Sequence, residues 1–159
     1  MNRRDFLSGA AITFALAGCV EARIGSGSDP SGSAINNREF EIIDPGRVNE
    51  NASSPVDVNK PPVVAFDNAA DQVVVTGTLR TGGTCKTATP QSAMYDTDAD
   101  SLTLTVTDVM KDGAENCGAV AGATSYRATI EFAQALPNEV MATEKDARGN
   151  TKRTTAERT

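Results

Sequence analysis

Histidine and tryptophan are absent from the 159 residues. Without imidazole the chain lacks the usual general base, the Ser-His and Cys-His nucleophile pairs and the commonest metal ligand. A blue-copper centre needs two imidazoles and a thiolate, so that chemistry is excluded. No nucleophile elbow, Ser-x-x-Lys pair or phosphate-cradling glycine loop occurs, and the residues point away from an enzyme and from any cofactor. The three cysteines include no C-x-x-C spacing. Basic residues are outnumbered: 15 Lys+Arg stand against 21 Asp+Glu. That balance argues against nucleic acid and against electrostatic attachment to anionic lipid.

What is present begins at the N-terminus. From Phe6 to Ala17 the chain carries no charge, and Phe6, Leu7, Ile12, Phe14 and Leu16 lie among small residues. The run falls short of the about 20 apolar residues that span a bilayer, but it suits the core of a cleaved leader. Arg3 and Arg4, followed by Asp5, Phe6 and Leu7, resemble the twin-arginine export signal. Leu16, Ala17, Gly18 and Cys19 resemble the lipobox of exported lipoproteins. The resemblance implies a signal peptide over residues 1–18 and a Cys19 sulfur joined by a thioether to diacylglycerol. The expected location is the outer face of the cell membrane, reached by the twin-arginine pathway, with the lipid bilayer as first partner.

Residues 19–60 read as a lipid anchor and a tether rich in Gly, Ser, Asn, Asp and Pro. Such a mixture buries too little apolar surface to offset the entropy of ordering it. One island, residues 38–43, has the pattern of a short edge strand docked on the domain. Asn51, with Ala52 and Ser53, forms an N-x-S acceptor for glycosylation.

Period-two alternation dominates residues 61–146. Val73, Val75 and Leu79 alternate with polar neighbours, Leu102, Leu104 and Val106 with threonines, and Tyr126, Ala128, Ile130 and Phe132 with Arg127, Thr129 and Glu131. Each run predicts a half-buried strand, with weaker strands at 63–66 and 139–143. Turn chemistry separates them at 67–71, 82–83, 96–100, 111–113 and 146–150. The expected fold is an all-β antiparallel sandwich, Ig-like or related, with a small closed barrel as the alternative. Residues 147–159 read as a polar C-terminal tail.

Cys85 and Cys117 remain after lipidation. Outside the cell such a pair is most simply a disulfide. The other reading, a redox or metal-binding thiol pair, lacks a basic cluster to hold a thiolate. Asp96, Asp98 and Asp100 imitate the first ligands of a calcium loop. Ser101 occupies its glycine position and Thr107 its twelfth, so an acidic turn is the plainer reading.

Removing Arg3, Arg4 and Asp5 leaves 13 Lys+Arg against 20 Asp+Glu, a net charge of −7. With abundant Thr and Ala and Asp exceeding Glu, the chain resembles a haloarchaeal surface lipoprotein, whose acidic face stays hydrated in strong salt; a moderately acidic bacterial lipoprotein is the alternative. Gly77-Thr78-Leu79, Cys85, Met94-Tyr95-Asp96, Cys117, Tyr126-x-Ala128-x-Ile130 and Leu136-Pro137 are similar to a module of secreted haloarchaeal proteins of unassigned activity. Lys86 stands where such modules often carry histidine, which further removes a metal ligand. The expected function is a non-enzymatic binding module engaging an unknown protein or solute through loops at one end of the sandwich. The alternative is a passive envelope component, or an inhibitor or accessory subunit of a membrane-bound partner.

Overall fold

Strands form where side chains alternate between water and a shared apolar layer, and the alternating runs here do so. The computed structural model describes residues 34–43 and 57–159. Among these residues lie β1 (Ile35–Ile43), β2 (Val63–Asp67), β3 (Gln72–Thr81), β4 (Lys86–Asp96), β5 (Ser101–Met110), β6 (Gly122–Phe132), β7 (Glu139–Lys145) and β8 (Thr151–Glu157). No helix among them is long and apolar enough to cross a membrane.

The strands make two four-stranded sheets, in the orders β1-β6-β3-β2 and β4-β5-β7-β8. Their inner faces share one apolar cluster, which makes the domain an all-β sandwich. Val73, Val75 and Leu79 of β3, Leu102, Leu104 and Val106 of β5, and Ala128 and Ile130 of β6 all belong to it. Each large side chain so buried stabilises the fold by about 1.5–3 kcal/mol. Phe40 joins from β1 by stacking on Tyr126, ring centroids 5.3 Å apart.

One ladder departs from a wholly antiparallel arrangement: β5 and β7 run parallel, Leu102 opposite Val140 and Leu104 opposite Ala142. The chain leaves β5, returns along the other sheet as β6, and enters β7 in the direction β5 had. Ladders within the first sheet are all antiparallel.

The four edge strands are each protected from pairing with other chains. β1 is charged and bulged between Ile35 and Asn37. β2 has five residues. β4 carries Pro90 beside a bulge between Pro90 and Ser92. β8 carries Lys152, Arg153 and Glu157.

Three expectations need correction. Residues 147–159 are not merely a polar tail, because Thr151–Glu157 is β8, paired antiparallel with β7. Its inward positions are Lys152, Thr154 and Ala156, which carry no large apolar signal. Residues 86–96, which carry no uninterrupted alternation, form β4. Its buried Ala88 and Ala93 fall out of period because the bulge inserts a residue between them. The edge strand expected at 38–43 begins three residues earlier, so part of the 19–60 tether belongs to the sandwich.

Candidate functional site

Three connections meet at one end of the sandwich: 82–85 between β3 and β4, 111–121 between β5 and β6, and 146–150 between β7 and β8. Cys85 and Cys117 join the first two through a disulfide, Cα atoms 5.2 Å apart. Around that bond Thr84 N donates to Gly118 O at 3.1 Å, and Gly118 N donates to Thr84 Oγ1 at 2.9 Å. Lys111 N donates to Cys85 O at 2.7 Å, and Lys111 Nζ to Thr84 O at 3.3 Å. A Cβ at Gly83 would lie 2.9 Å from Gly118 O, so the close approach of the two loops requires glycine there. The third connection adjoins them, with Ala147 N donating to Arg80 O at 3.5 Å.

Asp146 organises that third turn by accepting from Arg148 N, Asn150 N and the Asn150 side chain. Burial pushes its carboxyl up, but the hydrogen bonds from Asn150 and Arg148 outweigh this and hold it below the ordinary carboxylate value. Nearby, Lys86 pairs with Asp108 at 3.0 Å. Lys111, Lys145 and Arg148 are exposed, as are Asp112 and Glu115. Apolar side chains also reach water here: Val109 is 43% exposed, Met110 51% and Val120 74%.

The opposite end is acidic. It is made by the turn from Asp67 to Asp71, the turn from Asp96 to Asp100, and the starts of β1 and β7. Phe132 N donates to Asp71 O at 2.9 Å and Asn138 N to Asp100 O at 3.0 Å, which draws these pieces together. Asp96 Oδ1 accepts from the backbone of Asp98 and Ala99 at 2.9 and 3.0 Å. Asp100, at φ 49°, accepts from the Tyr95 hydroxyl at 2.6 Å. That bond, then burial, pushes the Tyr95 hydroxyl up to about 12. Thus Asp96 and Asp100 spend carboxylate oxygens on their own turn, while Asp98 is exposed. Among the described residues no three His, Cys, Asp or Glu side chains converge as a metal set.

Between the sheets lies a polar cluster that periodicity did not reveal. Tyr126 Oη donates to Glu144 Oε1 at 2.9 Å, and Lys152 Nζ sits 2.6 Å from Glu144 Oε2. The same ammonium donates to the carbonyls of Val58, Lys60 and Thr78 at 2.8, 3.1 and 3.1 Å. Glu144 has no exposed surface. Burial pushes its carboxyl above the ordinary value, against the pull of Lys152 and the Tyr126 hydroxyl. Burial and the adjacent Glu144 charge push the Tyr126 hydroxyl far up. Gly77 gives the cluster its room. The signal that could have found it was Glu144, a carboxylate on the inward phase of an apolar strand.

The structure therefore brings Cys85 and Cys117 together and spreads Asp96, Asp98 and Asp100 around a turn. Arg3, Arg4, Phe6, Leu7, Cys19 and Asn51 lie outside the described residues. No family model, curated protein or solved structure matches the chain.

Proposed function

We propose that the chain is an exported lipoprotein held at the outer face of the cell membrane through a diacylglycerol on Cys19, and that its sandwich is a non-enzymatic binding module. The observation that carries the binding reading is the connection 111–121. It has 11 residues and no strand or helix, yet a disulfide and the Thr84–Gly118 hydrogen bonds pin it. Long connections held in this way commonly carry recognition, because a rigid scaffold presents their side chains at little entropic cost. The non-enzymatic part rests on Glu144: this carboxyl, which burial pushes above its ordinary value, has no exposed surface and lies between the sheets rather than in an open cleft.

Membrane attachment rests on the Arg3-Arg4 pair and the residues leading to Cys19. Fractionation of cells expressing the full chain tests it. Cys19→Ser is expected to release the protein or leave the precursor uncleaved, and Arg3→Lys with Arg4→Lys to retain it inside. A Cys19→Ser chain that stays in the membrane at the mass of the parent protein sinks the lipoprotein reading. Chemical crosslinking on intact cells tests binding. A chain that forms no adduct at any ionic strength is a passive envelope component instead.

A further inference from the structure

We infer that Asp112–Gly113 is a self-modification site, at which the folded chain converts Asp112 to isoaspartate through a cyclic imide. The inference is independent of the binding-module reading, although it concerns the same connection, 111–121.

The reaction asks for an aspartate carboxyl free of partners, a following backbone nitrogen open to attack, and a peptide able to rotate. The sequence meets the second requirement once. Asp112 is followed by glycine, whereas every other aspartate of the 159 residues precedes a residue with a Cβ. A Cβ on the following residue crowds the nitrogen, and glycine has none.

The structure meets the other two. Asp112 and Gly113 are both exposed, in a turn closed by Ala114 N donating to Lys111 O at 3.2 Å. A Cβ built on Gly113 would meet nothing within 4 Å, so the turn stands in open space. Among the described residues no hydrogen bond reaches the Asp112 carboxylate or Gly113 N, which leaves the peptide between them free to turn. Other aspartates are engaged. Asp67, Asp96 and Asp146 accept from backbone N–H groups of their own turns, Asp100 accepts from Tyr95, and Asp108 pairs with Lys86.

The step needs no co-reactant but water. Gly113 N attacks Cγ of the Asp112 carboxyl in its acid form. The N–Cγ bond forms, the Cγ–O bond breaks, and the amide proton leaves with the hydroxyl as water. A second water then opens the ring. Where it cuts the bond from Gly113 N to the original main-chain carbonyl, the backbone runs through the side-chain carbonyl and is one methylene longer. The original main-chain carbonyl becomes the free carboxylate. Lys111 N on Cys85 O and the Cys85–Cys117 disulfide pin the connection on both sides of this turn. The added methylene is therefore absorbed between residues 112 and 116, and the strands keep their register.

Ageing the full chain at neutral pH, followed by peptide mapping, tests this. The expected result is a second peptide of unchanged mass containing residue 112, growing with time. Cleavage before residue 112 should fade in step, using an endoproteinase that cuts at aspartate and not at isoaspartate. The folded chain should convert within about tenfold of the rate of the denaturant-unfolded chain, since the fold offers this turn no protection. Gly113→Asn should slow conversion about tenfold or more, because asparagine tolerates the positive φ of 66° while its Cβ shields the nitrogen. An unchanged melting temperature verifies that variant's fold. The inference is overturned if the folded chain stays intact at residue 112 while the unfolded chain converts. It is overturned equally if another aspartate converts first, or if Gly113→Asn converts as fast as the parent. The converted chain should melt with the fresh one, and a lower melting temperature would overturn confinement of the change to residues 112–116.

Discussion

Gly77 and Glu144 share one volume: a Cβ on Gly77 would fall on Glu144 Oε1 and within 2.6 Å of the Tyr126 hydroxyl. Glycine is required there by space, with no demand from backbone conformation. The missing side chain is what lets a carboxylate, a phenol and an ammonium meet between two apolar sheets. Gly77→Ala is expected to cost about 2 kcal/mol or more, since neither neighbour can move without breaking the Tyr126–Glu144 bond. Equilibrium unfolding in denaturant measures it, and a loss below half that value contradicts the packing argument.

Lys152→Met leaves the Glu144 charge buried without its cation and is expected to cost about 3–5 kcal/mol at neutral pH. The pH dependence has a fixed sign. Glu144 holds its proton more tightly folded than unfolded. Protonation therefore favours the folded state, and that stability is lost as pH rises through the folded value. The variant should recover stability on acidification from neutral toward 4.5, the ordinary value. Asp146 has the opposite sign: its depressed carboxyl contributes stability above 3.8 that disappears as pH falls through the folded value. The double variant Glu144→Gln with Lys152→Met should lose less stability than Lys152→Met alone and lack its acid recovery. Denaturant midpoints across that pH window decide the matter.

Reducing the Cys85–Cys117 bond, or replacing both residues with serine, is expected to cost about 3–4 kcal/mol in the chain-entropy account for a loop closed across 32 positions. Intact mass after alkylation without reduction should show neither cysteine modified. Two free thiols under oxidising conditions would return redox chemistry to consideration.

The carboxylates of Asp96, Asp98 and Asp100 repel one another at low ionic strength. Salt screens that repulsion, the Debye length falling from about 10 Å at 0.1 M to about 3 Å at 1 M. The melting temperature should therefore rise in molar salt, with sodium and potassium nearly equivalent. Micromolar calcium at constant high salt should shift it little, because Asp96 and Asp100 already accept bonds from their own turn. A large calcium shift would turn these residues into a cation site.

Much of the sandwich was legible because its central strands carry uninterrupted alternation. Val73 and Val75, Leu102 and Leu104, and Tyr126 and Ala128 announce inward faces, and the glycine- and aspartate-rich breaks announce turns. β4 and β8 were illegible for a physical reason. Both are edge strands whose inward positions hold small or polar side chains, so Ala88, Ala93 and Ala156 are too small to set an apolar period. Cys85 and Cys117 were readable as a pair from their number and expected compartment. The clasp of Lys152 on Val58, Lys60 and Thr78 was not, since it joins carbonyls up to 94 positions away. Nor was the gathering of Asp67, Asp71, Asp96 and Asp100 at one end, which appears only once the turns are sorted.

The path of the chain has a kinetic consequence. It passes from one sheet to the other at β3–β4, β5–β6 and β6–β7, so neither sheet is made of consecutive segments. The parallel β5–β7 ladder closes a long stretch of chain that includes β6 of the other sheet, and β8 pairs only with β7. Partial assembly from the N-terminus leaves apolar faces without cover, which favours all-or-none folding with non-local contacts in the transition state. Such topologies fold on the order of milliseconds to seconds.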